Sequence, residues 1–379
     1  MEIQRKKLNK KKIKFVDLYK QYLSLKNKIN IVIKKTIKSS NYIRGKNVIS
    51  FENNFSKKNN SKYCLSCGNG TDALFIALKS MGLKKNDEVI TTSHSWISTS
   101  ETITLAGAKV VFADTNLDNF NIDYEDIIKK ITKNTVGIIP VHLFGQTLNM
   151  KKITQIANRY NLWIIEDCAQ AVFAKFDNKF VGNFGTFGTF SFYPGKNLGA
   201  FGDAGAIVTN NKKMFEKISM FARHGGLTKG DHNVEGMNSR MDGIQAGILN
   251  VKLKYVFEWN KRRKIIANIY NKNLSNVGDI ITPNIDKDCD HVYHLYVIKT
   301  QFRDNLRKFL SSYNVETNIN YPTALPFLKA YNYLGHKFSD FPNAYKNQNT
   351  ILSLPIYPEL KNSDIFYICK LIRIFFNKH

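Results

Sequence analysis

Short apolar runs alternate with segments of helical spacing along most of the chain, from Phe15 to Lys252. The runs predicted to be strands cover residues 88–91, 109–114, 136–142, 162–167, 189–193 and 206–209. Stretches with a helical period lie between them, for example 72–81 and 149–160. This alternation predicts an α/β fold in which helices cover both faces of a mostly parallel sheet. Ligands of such sheets bind beyond the carboxyl ends of the strands.

The pattern changes after Tyr255, where a long basic helix is predicted over residues 260–274, followed by a turn-rich region. A further strand-like run covers residues 291–299. We therefore divide the chain into a basic N-terminal leader (1–14), a large domain (15–255) and a smaller C-terminal α+β domain (256–379).

The chain is strongly basic, with 56 Lys and Arg against 30 Asp and Glu and a formal charge of +26. Lysines are spread over the whole sequence, which indicates a solvated surface. The densest run, Lys10-Lys11-Lys12, has no interleaved aromatic residues and no zinc-finger spacing occurs, so we expect no nucleic-acid partner. A nucleic-acid-binding or regulatory protein stays an alternative that rests on charge alone. A positive surface also attracts anionic substrates.

No apolar run is long enough to span a bilayer, and no apolar core of a signal peptide follows the first basic residues. We expect a soluble cytoplasmic protein with reduced thiols and no membrane partner. Cys64 and Cys67 have thiol-redox spacing, but no second Cys or His pair accompanies them, which favours packing. The histidines show no paired metal spacing, so no metal site is predicted and His94, His142 and His224 are expected to support structure.

A small-residue turn at residues 67–74, CGNGTDAL, leads into a predicted helix. Gly70 lets backbone N–H groups approach an anion, the helix N-terminus adds partial positive charge, and Thr71 adds a hydroxyl donor. This pattern predicts a phosphate cup, although alone it also fits a simple tight turn. It has neither the lysine of a nucleoside-triphosphate loop nor the spacing of a dinucleotide fingerprint.

Two charged residues stand in unusual places. Asp167 ends a buried apolar run, where an unpaired carboxylate is costly and a cation or a strong donor is expected. Lys196 lies in a Gly/Pro-rich turn, YPGKNLG at 193–199, with few other charges nearby. Partial desolvation lowers the pKa of an amine and makes it a nucleophile that can form a Schiff base. A phosphate cup, an acidic strand end and a shielded lysine together are what pyridoxal phosphate needs.

Several segments resemble the DegT/DnrJ/EryC1/StrS family of pyridoxal-phosphate-dependent aminotransferases, which act on nucleotide-linked keto sugars. They cover residues 15–18, 68–74, 141–146, 166–171, 191–205 and 238–246. The resemblance follows the chain in order over nearly its whole length. It implies the fold type I aminotransferase architecture.

The resemblance also implies roles for individual residues around the cofactor. Lys196 would form the Schiff base and then move the proton between the substrate carbon and C4′ of the cofactor. Asp167 would pair with the pyridine N–H and keep the ring protonated. Gln170 would lie near the phenolic oxygen, and Trp96 would stack on the ring.

The phosphate of the cofactor would be held by two subunits. The resemblance assigns it to the amides of Gly70 and Thr71, to Ser191, and to Asn238 of the partner subunit. The last contact implies a homodimer with shared active sites.

Residues of the hexose site are also implied by the resemblance. Tyr42 and Tyr193 would line it, together with Asn320 and Tyr321 just before Pro322. Relatives often carry His where this chain has Asn320, and Asn keeps hydrogen-bonding capacity but cannot become cationic. The contact with the sugar or pyrophosphate at Asn320 therefore differs from that of such relatives.

The segments 95–101, 193–205 and 321–326 look most like the subgroup that aminates carbon 3 of dTDP-linked 3-keto-6-deoxyhexoses. This implies L-glutamate as the amino donor and a 3-amino-3,6-dideoxy sugar, as found in lipopolysaccharide O-antigens and antibiotics. The alternatives are amination of carbon 4 and a UDP-linked 3-keto sugar. A dehydratase or deoxygenase on the same fold is a further alternative. Lys196 argues against it, because relatives of that kind replace the Schiff-base lysine.

Overall fold

A computed structural model describes residues 12–228 and 230–378, and its centre is a seven-stranded sheet in the order β1-β9-β8-β5-β4-β2-β3. β9 is antiparallel to both its neighbours, and the other pairs are parallel. The predicted mostly parallel sheet is therefore confirmed. In chain order the strands are β1 Tyr63–Cys67, β2 Glu88–Thr92, β3 Lys109–Ala113, β4 Thr135–Ile139, β5 Trp163–Asp167, β6 Lys175–Phe176, β7 Lys179–Phe180, β8 Phe187–Ser191, β9 Gly205–Thr209, β10 Tyr296–Lys299 and β11 Ile351–Leu354.

Helices connect the strands and cover the sheet. In chain order they are α1 Leu18–Ser39, α2 Lys46–Asn59, α3 Gly70–Ser80, α4 Ser98–Leu105, α5 Tyr124–Lys130, α6 Met150–Arg159, α7 Lys212–Phe221, α8 Gly243–Lys252, α9 Val256–Leu274, α10 Arg303–Ser312, α11 Pro342–Thr350 and α12 Asn362–Phe376. Over the described residues, none of the helices combines the length and the apolarity that crossing a membrane requires.

Both faces of the sheet are buried. Ile139 and Ile165 belong to one hydrophobic cluster, whereas the preceding residues Ile138 and Ile164 belong to another. Successive side chains of a strand point to opposite faces, so the two clusters lie on the two sides of the sheet. This explains why the strand sequences are continuous apolar runs rather than alternating ones.

The predicted strand runs of the sheet are confirmed, with shifted ends. The run predicted over 136–142 ends at Ile139 because Pro140 follows and has no N–H to donate to a ladder. The run predicted over 189–193 is displaced to β8, which ends at Ser191. The long basic helix begins earlier than predicted, at Val256, and the run over 291–299 is a strand only from Tyr296 onward.

The C-terminal part has its own core, built from α9, α10, α12 and the antiparallel pair of β10 and β11. Ile13 belongs to this core and pairs with Val315, because its N–H donates to the Asn314 carbonyl over 2.9 Å. Lys10 and Lys11 of the predicted leader lie outside the described residues. The domain boundaries at residues 15 and 255 stay predictions.

Candidate active site

The predicted phosphate cup lies where α3 begins beside the end of β8. Asn69 caps the helix, accepting from the N–H of Asp72 over 2.8 Å. A Cβ on Gly70 would lie 2.7 Å from the Cβ of Ser191, so only glycine fits between the helix start and the strand end. The fold thus brings Gly70, Thr71 and Ser191 to one place. The unpaired N–H groups of a first helical turn there suit an anion.

Asp167 is the last residue of β5, and its carboxylate is only 5% exposed. Oδ2 accepts a hydrogen bond from the Thr99 hydroxyl over 2.8 Å, and Oδ1 accepts from the N–H of Ala169 over 3.0 Å. The backbone of Asp167 pairs with Pro140 and His142, which follow β4. The carboxylate is therefore fixed, and each oxygen keeps a lone pair for a further donor.

Lys196 is half-buried in the turn between β8 and β9. Burial lowers the pKa of its amine to about 8, while the negative charge of Asp167 acts in the opposite direction. Both groups therefore belong to one electrostatic site. A larger fraction of this amine is neutral near pH 7.5 than of an ordinary lysine, which makes it a competent nucleophile.

Tyr321 connects the predicted cofactor and substrate residues. Gln170 accepts the N–H of Phe144 on Oε1 over 2.7 Å and donates from Nε2 to the Tyr321 hydroxyl over 3.0 Å. The ring of Trp96, 59% exposed, lies 5.7 Å from the ring of Tyr321 between centroids. Gln170, Trp96 and Tyr321 therefore form one wall with an open aromatic face.

His94 is buried behind this wall and has a supporting role. Its Nε2 lies 3.1 Å from both the backbone nitrogen and the backbone oxygen of Tyr321. Burial lowers the pKa of His94 to about 4, so the ring is neutral at ordinary pH. A neutral imidazole fixes the Tyr321 backbone without placing a charge beside the site.

Of the remaining predicted residues, three are exposed and the fourth, Asn320, faces the interior of the protein. Tyr193 and Tyr42 are exposed, and in the described part of the chain no hydrogen bond or ring contact joins Tyr42 to Lys196 or the cup. Asn320 turns its Oδ1 to the Ser353 hydroxyl of β11, which donates over 3.0 Å. Asn238 is exposed. The substrate and partner-subunit roles of these four residues stay predictions.

Ser239, next to Asn238, ties this exposed segment to the cup. Its hydroxyl donates to Asp72 over 2.6 Å and accepts from the N–H of Gly68 over 3.0 Å. Asn238 is therefore held beside the first turn of α3 in the same chain, where it is exposed.

One cluster of potential metal ligands adjoins the site. Donor atoms of His142, Glu166 and Cys168 lie within 4.8 Å of one another. His142 accepts the N–H of Leu148 on Nδ1, so its Nε2–H donates to Glu166. Three more backbone N–H groups donate to the Glu166 carboxylate, those of Gly182, Phe184 and Gly185. Hydrogen bonds thus account for this cluster, and the absence of a metal site stays a prediction.

The buried cysteines resemble packing residues. Burial raises the pKa of the Cys64, Cys67 and Cys168 thiols, so they stay protonated. Every cysteine that the structure describes is a free thiol. The spacing of Cys64 and Cys67 on β1 therefore gives no reactive dithiol.

Sequence reasoning missed two residues that hold the site together, Thr99 and Phe144. Thr99 lies in the hydroxyl-rich stretch STS at the start of α4, three residues after Trp96, which was the available signal. Phe144 acts through its backbone N–H and at a positive φ of 58°, which no side-chain pattern reveals.

The arrangement fits pyridoxal phosphate. The narrow cup at Gly70 suits a phosphate, and the buried Asp167 carboxylate suits a protonated pyridine nitrogen. Lys196 offers an amine for the aldehyde, and Trp96 offers an exposed ring face for stacking.

Comparison with known proteins agrees with this fit. Residues 24–373 match the DegT/DnrJ/EryC1/StrS aminotransferase family. The "Pleiotropic regulatory protein" of Geobacillus stearothermophilus is 40% identical over 96% of this chain and 98% of its own. The dTDP-3-amino-3,6-dideoxy-alpha-D-galactopyranose transaminase of Aneurinibacillus thermoaerophilus is 36% identical over 93% and 96%. The UDP-2-acetamido-2-deoxy-3-oxo-D-glucuronate aminotransferase of Pseudomonas aeruginosa is 36% identical over 94% and 98%.

Two solved structures share the fold. Streptomyces venezuelae DesV, determined in complex with a ketimine intermediate, has a TM-score of 0.94 and 33% identity over 96% of this chain and 98% of its own. NtdA of Bacillus subtilis, determined with bound PMP, has a TM-score of 0.86 and 30% identity over 96% and 87%. The predicted fold type I architecture and the cofactor are thereby confirmed. With the family match over nearly the whole chain, these likenesses mean that this protein belongs to the DegT/DnrJ/EryC1/StrS aminotransferase family and is a pyridoxal-phosphate-dependent aminotransferase.

Proposed function

We propose that this enzyme transfers an amino group from L-glutamate to carbon 3 of a nucleotide-linked keto sugar, a dTDP-linked 3-keto-6-deoxyhexose. The observation that carries the proposal is the lowered pKa of Lys196 beside the buried carboxylate of Asp167, next to the cup at Gly70. The choice of carbon 3 is supported by the names of the Aneurinibacillus and Pseudomonas relatives, which both refer to position 3 of the sugar.

The nucleotide is supported less directly than the carbon. The two relatives are equally similar to this chain at 36% identity, although one name specifies dTDP and the other UDP. A UDP-linked 3-keto sugar is therefore the second candidate substrate. The 6-deoxyhexose is favoured by the sequence segments around Trp96 and Tyr321. An excess of 26 positive charges would aid the approach of either nucleotide diphosphate.

The residues of the chain have distinct tasks in the reaction. When bound, pyridoxal phosphate supplies a ring that accepts electrons as a proton leaves the neighbouring substrate carbon. Asp167, fixed by Thr99 and Ala169, holds the proton on the ring nitrogen. Lys196 would take the proton from the substrate carbon on its neutral Nζ and deliver it to C4′ of the cofactor, and in the sugar half-reaction it would move the proton the other way. Such positioned proton transfer contributes about 10² to 10⁴ in rate.

Binding and orientation fall to the surrounding residues. Gly70, Thr71 and Ser191 would hold the phosphate and thereby anchor the cofactor. Gln170 orients the phenolic oxygen, and the aromatic face of Trp96 covers the ring. Tyr42, Tyr193, Asn320 and Tyr321 hold the hexose and its diphosphate.

Asn238 of the partner subunit completes the phosphate site in a homodimer. The exposure of Asn238 beside the cup supports this arrangement, because a neighbouring subunit could reach it without rearrangement. We propose a cytoplasmic location, where nucleotide sugars are made, and a role in the synthesis of an O-antigen or a similar surface polysaccharide.

The first experiment tests whether the protein is an enzyme or a non-catalytic regulator. The second possibility is considered because the Geobacillus relative is named a regulatory protein. Purified protein supplied with pyridoxal phosphate should turn yellow and lose this colour on borohydride treatment. The Lys196→Ala variant should stay colourless, whereas Lys254→Ala, a matched change of an exposed lysine, should behave like the wild type. Colourless wild-type protein would contradict the proposal.

The second experiment identifies the substrate. The enzyme is incubated with L-glutamate and, separately, with dTDP-linked 3-keto and 4-keto 6-deoxyhexoses and a UDP-linked 3-keto sugar. NMR of the product shows which carbon bears nitrogen. We expect amination of the dTDP-linked 3-keto compound at the highest kcat/KM. Amination of the 4-keto compound alone would overturn the choice of carbon 3.

A further inference from the structure

The turn that carries Lys196 is a closed loop with tightly packed arms. Its ends are joined where the N–H of Ala200 donates to the Phe192 carbonyl over 2.7 Å, and the N–H of Lys196 donates to the Tyr193 carbonyl over 2.8 Å. A Cβ on Gly199 would lie 2.2 Å from the carbonyl oxygen of Pro194. The part of the loop after Lys196 (residues 197–200, the returning arm) therefore packs directly against the part before it (residues 192–195). The direction of the Lys196 side chain therefore depends on where this loop is anchored.

The returning arm is anchored by Lys252, the last residue of α8. This side chain is 1% exposed, and its Nζ donates to the Gly199 carbonyl over 2.7 Å. Nζ also lies 4.6 Å from the centroid of the Phe201 ring, just beyond the loop. The Lys252 ammonium thus contacts a backbone carbonyl within the loop and an aromatic ring directly after it, and both contacts are favourable for a cation.

Stability alone is a poor explanation for a lysine at this position. Burial lowers the pKa of Lys252 to about 8, and the charge of Glu359 opposes that shift. Among the residues that the structure describes, no carboxylate lies within ion-pair distance of its ammonium, so the desolvation cost is only partly offset. Burying a charged group without a paired counter-charge costs stability, so the fold itself gives little reason for a lysine at this position.

A second anchor holds the residue next to Lys196. Asn197 donates from Nδ2 to Asn260 Oδ1 over 2.9 Å and to the Val292 carbonyl over 3.0 Å. Asn260, on α9, in turn donates to the Val172 carbonyl over 3.0 Å. Lys252 and Asn197 therefore fix the loop to α8 and α9 on the carboxyl side of Lys196, while β8 fixes it on the amino side.

We propose that Lys252 is a positioning residue for Lys196: its buried ammonium holds the returning arm of the 192–200 loop and thereby keeps the Lys196 amine shielded and directed toward Asp167. Without this anchor the loop can open at Gly199, and the Lys196 side chain gains access to water. A solvated amine returns toward its ordinary basicity and is less often neutral at physiological pH. The proposal rests on the proposed role of Lys196 as the cofactor-bearing lysine.

The chain contains a matched control. Lys299 is 7% exposed, donates to the Leu117 carbonyl, and has its Nζ 5.3 Å from the centroid of the Phe120 ring. It thus repeats the buried arrangement of lysine, carbonyl and phenylalanine. Its carbonyl and ring belong to the segment between β3 and α5, away from residues 192–200. Lys252→Met and Lys299→Met therefore remove equivalent groups from different places.

The test measures Schiff-base formation by the full chain freed of cofactor. Pyridoxal phosphate is added between pH 6.5 and 10, and the rise of absorbance gives a rate whose pH midpoint reports the Lys196 amine. We expect the midpoint of Lys252→Met to rise by at least one unit, which is about a tenfold slower reaction at pH 7. Lys299→Met should keep the wild-type midpoint, and Lys252→Arg, which keeps a donor for Gly199, should stay within about threefold of the wild-type rate.

A purely structural role for Lys252 gives a different result. Both methionine variants would then melt at lower temperature, and neither would move the midpoint, which would overturn the proposal. If Lys252→Met does not fold, Phe201→Leu replaces it, because this half-exposed ring can be trimmed while the Gly199 bond stays. Because Phe201→Leu removes the aromatic face under the Lys252 ammonium, we expect its midpoint to rise by about half a unit, which slows the reaction about threefold at pH 7. An unchanged midpoint would overturn the proposal.

Borohydride reduction of the loaded wild type, followed by peptide mapping, keeps the two proposals apart. Attachment at a lysine other than Lys196 would refute the role of Lys196 itself. Attachment at Lys196 with an unmoved midpoint in the variants would refute only the role of Lys252.

Discussion

The Thr99 hydroxyl donates a hydrogen bond to Oδ2 of Asp167 over 2.8 Å, and this contact ties the first turn of α4 to the end of β5. Trp96 lies in the turn just before the same helix, so one segment places both the stacking ring and the donor to the carboxylate. The position of the acid and the position of the aromatic face are therefore coupled through three residues of chain.

Replacing Thr99 with Val should weaken the enzyme without unfolding it. The change removes a hydrogen bond to a charged group, worth about 1.5–3 kcal/mol, and each 1.4 kcal/mol corresponds to about tenfold in rate. We expect kcat for the glutamate half-reaction to fall about tenfold to a hundredfold. Stopped-flow absorbance of the cofactor measures this rate directly.

Two further variants separate the carboxylate contact from helix effects. Thr99→Ser keeps the hydroxyl and should retain most of the rate. Thr104→Val, on the same helix, removes a hydroxyl that donates only to the Glu101 carbonyl and should leave the rate near that of the wild type. A Thr99→Val rate equal to that of Thr104→Val would show that the Asp167 contact is not important.

Because the pKa of Lys196 is lowered in the folded protein, the stability of the cofactor-free protein should depend on pH. Between about pH 8 and the ordinary value of 10.5, the unfolded chain holds a proton on Lys196 that the folded chain has lost. Stability rises with pH wherever the unfolded state binds more protons. In the cofactor-free form, the wild type should therefore have a lower free energy of unfolding than Lys196→Met at pH 7. This difference in free energy, the gap, should narrow from pH 8 to 10.5.

Urea unfolding of both proteins at several pH values measures this gap, since other titrating groups cancel in the difference. Lys254→Met provides the control, because its exposed amine should give a difference that does not change with pH. A pH-independent gap between wild type and Lys196→Met would mean that the amine is not shielded in the folded chain.

Gly70→Ala should damage the cofactor site by crowding. The new Cβ would lie 2.7 Å from the Cβ of Ser191, and overpacking of this kind costs about 1–3 kcal/mol. We expect the affinity for pyridoxal phosphate to fall about tenfold or more, as measured by equilibrium dialysis.

A double-mutant cycle with Ser191→Gly tests the cause. Because Ser191→Gly removes the atom that clashes, Gly70→Ala should cost less in that background than in the wild type. Equal costs in both backgrounds would place the effect of Gly70→Ala elsewhere in the helix start.

The sequence was sufficient to predict those parts of the fold and site that depend on local pattern. Apolar runs bounded by turns predicted six of the seven strands of the sheet, and β1 (Tyr63–Cys67) was missed. Asp167 followed from its place at the end of one of the predicted runs. The displaced ends have local causes as well, such as Pro140 after β4. Lys196 was identifiable because a single charge in a Gly/Pro-rich turn is conspicuous.

Contacts between distant segments could not be predicted in this way. Thr99 and Asp167 are 68 positions apart, and Gln170 and Tyr321 are 151 apart. Such pairs are set by the packing of whole elements, which periodicity does not encode. The inward turn of Asn320 toward Ser353 is of the same kind, since it depends on how the segment before Tyr321 lies against β11.

Glu166→Gln should destabilise the fold strongly. Glu166 directly precedes Asp167, but its carboxylate has other hydrogen-bond partners than that of Asp167. The carboxylate accepts hydrogen bonds from His142 and from three backbone N–H groups, and a glutamine would turn an N–H donor toward some of them. Buried donors left unpaired cost about 1–3 kcal/mol each, so the free energy of unfolding should fall by about 2–4 kcal/mol.

Glu216→Gln, which breaks only an exposed contact with Lys212, should change the free energy of unfolding by less than about 0.5 kcal/mol. Chemical denaturation of both variants measures the two values, and equal stability would mean that the Glu166 network does not hold the end of β5.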